Sequence, residues 1–230
     1  LRETSAIVTL RVAEAPRPIT LRAPRAVTAN EGDRIRFVLE AEAEPGTPIS
    51  FGVVNDTLPF GATLNAATGE FEWTPGFVQE GRFEIAFAAT DPNGVAVATT
   101  TIEVAAANGA PVFDNFDGLQ VYEGQLLSLR VFASDPDNPY FEPGFRDLDG
   151  TVSFPDGLER TVTVEPLDPL PEGARFDPET WELYWTPGAE QAGEYAIRFR
   201  ATDDGAETGN PLTAETTVEI TVRELNIPPE

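Results

Sequence analysis

Apolar and polar residues alternate with a period of two along much of the chain. Ile35, Phe37, Leu39 and Ala41 fall on one side of a strand, with Arg34, Arg36, Val38 and Glu40 between them. Leu127, Leu129, Val131 and Ala133 repeat the pattern. Phe83, Ile85 and Phe87 supply another such run, as do Tyr195, Ile197 and Phe199. Alternation over short runs punctuated by Pro and Gly predicts half-buried antiparallel strands. No stretch carries a convincing helical period. Six or seven such strands in about 90–110 residues predict a two-sheet sandwich.

The strands recur as an internal repeat. Residues 58–91 and 170–203 align without a gap through Leu-Pro, Gly-Ala, Trp-Thr-Pro-Gly, Gln, Gly and Ala-Thr-Asp, so that Trp185 matches Trp73. Upstream, Glu31-Gly32 matches Glu123-Gly124, and the changed spacing gives the second copy about 20 extra residues, placed at 138–160. Each copy closes on an alternating strand, at 99–105 and 216–222, followed by Asn-x-x-Pro at Asn108–Pro111 and Asn226–Pro229. The expected organisation is a lone strand with a Pro-rich linker at 1–23, one sandwich at 24–108 and a second at 109–230. In the first piece Ala6, Val8, Leu10 and Val12 share a face, as in the closing strand of a repeat.

Composition narrows the chemistry. The chain has 230 residues, 15 basic and 39 acidic, and a formal net charge of −24. Every basic residue is Arg; Lys, His, Cys and Met are absent. The usual zinc, iron–sulfur and haem ligand sets are therefore missing, as are catalytic triads built on His. Lys-based Schiff-base chemistry, phosphate loops and Lys–Asn cross-links are excluded as well. The negative charge disfavours nucleic acid and anionic membrane, and no apolar run is long enough to span a bilayer. Such a balance suits a solvated surface protein or a binder of hard cations. The chain does not begin with Met, and it reads as a processed product or an excised segment.

Several of these motifs resemble those of cadherin repeats. Ala201-Thr202-Asp203-Asp204-Gly205 is similar to the cadherin Ala-x-Asp-x-Gly segment, and Asn108-Gly109-Ala110-Pro111-Val112-Phe113 to the linker that precedes a new repeat. Asp135-Pro136-Asp137 lies where cadherins carry Asp-x-Asp, and Glu31 and Glu123 where they carry an early calcium-binding Glu. The Leu-Pro-x-Gly-Ala to Trp-Thr-Pro segment more closely resembles bacterial Ig-like and dystroglycan-type cadherin-like repeats. The resemblance spans residues 24–230 and implies an all-β fold of two tandem Ig-like/cadherin-like antiparallel β-sandwiches. It further implies extracellular modules of stalks, adhesins or secreted enzymes. Three departures stand out. Trp-Thr-Pro replaces the Leu-Asp-Arg-Glu calcium motif, the linker has Asn108 and Gly109 in place of carboxylates, and Ala43 replaces the first copy's counterpart of Asp135.

By that resemblance, calcium at the junction would be held by Glu31, Asn108, Asp135, Asp137 and Asp203. Ca²⁺ takes six to eight oxygens from carboxylates and carbonyls. The competing reading is that these Asp, Asn and Pro residues only build turns. Trp73 and Trp185 share the parity of Phe71 and Leu183 and are expected in the core. Tyr140, Phe141, Trp181 and Tyr184 lie outside the repeat pattern; they contact a glycan or protein, or else pack under the insertion. Asp147, Asp149 and Asp156 of that insertion read as turn residues or a second cation site. No spacing isolates a pair of carboxylates for glycoside chemistry, and the chain is read as non-catalytic. The lone strand either completes a neighbouring identical subunit head to tail, giving a filament, or belongs to a repeat upstream in a longer array. The expected role is a structural or adhesive module at a bacterial cell surface; the rival is a ligand-binding module of a secreted enzyme.

Overall fold

A computed structural model describes residues 17–138, 144–146, 148–149, 151–153 and 161–225. The lone strand at 5–12, Tyr140, Phe141, Asp147, Asp156 and the second Asn-x-x-Pro lie outside the described residues. The described chain forms two units. The first holds residues up to 29, 33–74 and 81–103; the second holds 30–32, 75–80 and the chain from 104 onward. Regular structure is strand throughout, apart from single 3₁₀ turns at Val54–Asp56 and Ala206–Thr208.

The first repeat contains β1 (Thr20–Arg22), β2 (Ala26–Asn30), β3 (Ile35–Val38), β4 (Glu40–Glu42), β5 (Ser50–Val53), β6 (Thr63–Leu64), β7 (Glu70–Trp73), β8 (Gly81–Asp91) and β9 (Gly94–Ala105). They form a sheet of order β2-β9-β8-β5, a second of order β3-β7-β6, and the small pair β1-β4. The period-two pattern places Phe37, Phe71 and Phe87 inward. Phe37 and Phe71, opposite each other on the short sheet, stack at 4.8 Å, and Phe87 of the other sheet meets them edge-on at 5.8 and 5.5 Å. Burying a large apolar side chain is worth about 1.5–3 kcal/mol, so each ring of this cluster contributes substantially to the repeat's stability.

The second repeat contains β10 (Val112–Phe113), β11 (Leu119–Tyr122), β12 (Leu127–Arg130), β13 (Ala133–Ser134), β14 (Phe145–Arg146), β15 (Val152–Ser153), β16 (Val162–Pro166), β17 (Arg175–Asp177), β18 (Glu182–Trp185), β19 (Gly193–Asp203) and β20 (Thr213–Arg223). Its sheets have the orders β11-β20-β19-β16 and β12-β18-β17, with small pairs β10-β13 and β14-β15. The expectation of antiparallel pairing holds for β19 with β20, but β11 runs parallel to β20, from Leu119 opposite Ile220 to Tyr122 opposite Arg223.

Both tryptophans of the repeat are core residues. Trp73 meets Phe83 edge-on at 4.8 Å, and Trp185 meets Tyr195 edge-on at 4.7 Å. Each indole N–H donates to a backbone carbonyl, that of Phe60 or Glu172, so neither buries an unsatisfied donor. The Pro that follows each Trp-Thr has a job too. The carbonyls of Pro75 and Pro187 accept the N–H of Gly32 and Gly124 at 2.8 and 2.7 Å.

Candidate functional site

Four carboxylates and one amide gather in the second unit, all on loops or strand ends. Asp203 closes β19 and is only 5% exposed. Its Oδ1 accepts the N–H groups of Gly205 and Leu212 and the side-chain amide of Asn108, at 2.9, 2.8 and 3.0 Å. Its Oδ2 is buried with no hydrogen-bond partner among the described residues. The Asn108 amide also donates to the Asn210 carbonyl, while its own Oδ1 is buried and unpartnered among the described residues.

Asp135 is buried just after β13, and its Oδ1 accepts the Asp137 N–H at 3.0 Å. Asp137 in turn accepts the Gly109 N–H at 2.8 Å. Burial pushes the Asp137 carboxyl above the usual carboxylate range, and the nearby charges of Asp135, Glu31 and Asp203 add to the rise, against the pull of the Gly109 N–H. Glu31 is 6% exposed; one oxygen accepts the Gln79 N–H at 2.6 Å and the other the Ala107 N–H at 3.1 Å. Consecutive residues Ala107, Asn108 and Gly109 thus each donate to a different carboxylate.

The five residues named from the resemblance therefore share one neighbourhood, beside a cavity of about 310 Å³ lined partly by Glu31, Phe77, Val78 and Asp137. The carboxylates lie along the 107–109 segment rather than converging. Among the described residues no group of three or more acidic, His or Cys side chains is drawn close enough to hold a metal ion as arranged. The donor chemistry nevertheless fits a hard cation: all candidate ligands are oxygens, two of them buried without a partner, and burying an unpaired polar atom costs about 1–3 kcal/mol. The first repeat's counterpart differs. Asp91 caps its own turn through Asn93 and Gly94, its Oδ2 is buried and unpartnered among the described residues, and Ala43 offers no second carboxylate.

Phe77 is a participant the repeat pattern did not reveal. A Cβ on Gly109 would lie 2.9 Å from its ring, and one on Gly32 3.1 Å, so both glycines leave room for it. The second copy has Ala189 at the matching position, and that mismatch is the only signal in the sequence.

Of the two alternatives for Trp181, a ligand contact and packing inside, the ligand contact does not hold. The side chain is 0% exposed and packs against Phe132, so it presents no face to a ligand. It stands where the first repeat has Gly69, with φ of +58° against +71°. Tyr184 is half-buried on the outer face of β18, its hydroxyl donating to Glu182 and its ring under the Arg175 guanidinium. Asp149 is exposed and accepts the Thr151 N–H, as a turn residue does.

Residues 17–105 and 131–223 match the family described as Putative Ig domain. The chain belongs to that family. The two matches make it a tandem of Putative Ig domains, with residues 106–130 between them. No curated protein sequence matches the chain significantly. Among solved structures it is similar to human protocadherin-24 EC1-2, at 16% identity and a TM-score of 0.37 over 93% of this chain and all of that one. It is also similar to mouse cadherin-23 EC22-24, at 15% identity and a TM-score of 0.36 over 91% of this chain and 65% of that one. An endo-fucoidan hydrolase of glycoside hydrolase family 107 is matched at 18% identity and a TM-score of 0.37, over 90% of this chain but 29% of the enzyme. Likeness this loose does not speak to function. No helix among the described residues is long and apolar enough to cross a membrane.

Proposed function

We propose that this tandem is a non-catalytic structural or adhesive module working outside a bacterial cell, in a surface stalk or filament, and that calcium stiffens it at Glu31, Asn108, Asp135, Asp137 and Asp203. One observation carries the reading: the N–H donors of three successive residues, 107 to 109, each meet a different carboxylate, while Asp203 Oδ2 and Asn108 Oδ1 are buried without partners among the described residues. A cation there would supply the missing partner and offset the mutual repulsion of the acids. Its chemical contribution is electrostatic cross-linking of loops. The protein's own part is to hold the 107–109 segment through the Ala107 and Gly109 N–H groups and the Asn108 side-chain amide.

Calorimetric titration and thermal melting of EDTA-stripped protein test it. Calcium at about 100 times its dissociation constant should add about 2.7 kcal/mol of stability. Absence of both heat and a rise in melting temperature removes calcium from the proposal. The filament reading adds the strand carrying Ala6, Val8, Leu10 and Val12 as a donor to an identical subunit, supported by its one-faced apolar pattern. Deleting residues 1–15 should then abolish fibres in electron micrographs of the native assembly. Fibres of unchanged length leave the strand to an upstream repeat.

A further inference from the structure

A cavity of about 270 Å³ opens on the outer face of the second repeat's short sheet, lined by Arg146, Arg175, Phe176, Asp177, Pro178 and Tyr184. Strand pairing builds it. Arg175 on β17 lies directly opposite Tyr184 on β18, and side chains at such opposed positions share one face of the sheet. The Arg175 guanidinium sits 4.7 Å from the Tyr184 ring centroid. Arg146 reaches in from β14 and binds Asp177 through its Nε at 3.1 Å, with Glu179 at 3.7 Å. Tyr184 is held by its hydrogen bond to Glu182.

Two features set this cluster apart. In a chain of net charge −24, the guanidiniums of Arg34, Arg36, Arg82, Arg130, Arg146, Arg198 and Arg200 pair with carboxylates; Arg175, like Arg22, Arg25 and Arg223, has no carboxylate partner among the described residues, but it lines this cavity and lies over an aromatic ring. The ring orients it and leaves its fork of N–H donors for an anion. The first repeat has nothing comparable: Thr63 faces Glu72 at the matching strand positions. The cavity thus combines an Arg fork held over an aromatic ring, a Pro ring and the carboxylate of Asp177.

We propose that this cavity binds one residue of an anionic saccharide. The sugar's carboxylate or sulfate engages Arg175. Its C–H face lies against Pro178 and its hydroxyls donate to Asp177, while Tyr184 holds the Arg175 guanidinium in place. An acidic peptide would bring further carboxylates against Asp177, Glu179 and Glu182 with no hydroxyls to offer them, so a sugar is favoured.

Calorimetric titration of the full chain in EDTA keeps this test independent of calcium. The probes are a galacturonate trisaccharide, a sulfated trisaccharide, maltotriose and triglutamate. At least one anionic sugar should bind with a dissociation constant of about 1 mM or tighter, and maltotriose about tenfold more weakly or not at all. The preferred arm tells planar carboxylate from tetrahedral sulfate. Arg175→Ala should weaken binding by about tenfold or more while leaving the melting temperature unchanged, since the side chain is exposed. Arg82→Ala, which removes an arginine elsewhere, should bind like the parent. Silence from both anionic sugars up to about 10 mM overturns the proposal. So does unchanged binding by Arg175→Ala, or triglutamate binding as tightly as the sugars.

Discussion

The two repeats share one tryptophan-centred core motif and wear different surfaces. Each buries a Trp against an aromatic ring, ties its indole to a carbonyl and docks a Gly N–H on the Pro that follows Trp-Thr. Outside, the long sheets part company. Arg198 pairs with Asp168 and Arg200 with Glu215 on the second repeat, and Glu165 stands opposite Arg200. The first repeat puts Ala86 and Ala88 at the two arginine positions, Gly52 opposite Ala88, and an exposed Val97 at the position of Glu215. The short sheets differ in another way: both carry ion pairs, Arg34–Glu72 and Arg36–Glu70 on the first and Arg130–Glu182 and Arg146–Asp177 on the second, but only the second sets an Arg, Arg175, over a ring, Tyr184, among the described residues. Positions that fold the sandwich are constrained by packing, whereas an exposed ion pair is worth about 0–1 kcal/mol and can be exchanged freely.

The sharpest way to break the shared interior is to truncate it. Trp73→Ala and Trp185→Ala should each cost about 3–5 kcal/mol in urea unfolding, with equal losses expected if the two sites are equivalent. Next comes the place where the interiors diverge. Gly69→Ala should lose about 1–3 kcal/mol, because its Cβ would sit 2.9 Å from the Leu39 carbonyl at φ of +71°. Trp181→Gly should lose about 2 kcal/mol, the relief of left-handed strain being smaller than the apolar contact forfeited. A smaller effect of opposite sign is expected at Thr100. Its hydroxyl is buried without a partner among the described residues, and the second repeat has Val218 there. Thr100→Val should therefore raise stability by about 1 kcal/mol. Smallest is Asp137→Asn, which keeps an acceptor for Gly109 and removes a disfavoured charge. In EDTA it should stabilise by less than about 1 kcal/mol while abolishing the response to calcium.

Strand alternation made the sandwich legible before any coordinates, since parity alone sends Phe71, Trp73 and Phe87 inward. Trp181 escaped that logic. It lies in a turn, where alternation gives no side, and a left-handed backbone angle carries the indole into the core. Phe77 escaped for a related reason: loop residues have no period, and only its fit over Gly32 and Gly109 explains them. The acidic residues were identifiable by resemblance. Their attachment to the main-chain N–H groups of Ala107 and Gly109 was not, because main-chain hydrogen bonds leave no mark on residue identity.

The parallel run of β11 beside β20 has a mechanical consequence. Tension applied at the two ends of the second repeat would drag these strands past each other lengthwise. The rungs between them are then loaded in shear and must fail together, whereas a hairpin peeled from its mouth unzips one rung at a time. Resistance to stretching is thus written into the order of the strands, ahead of any ion or ligand.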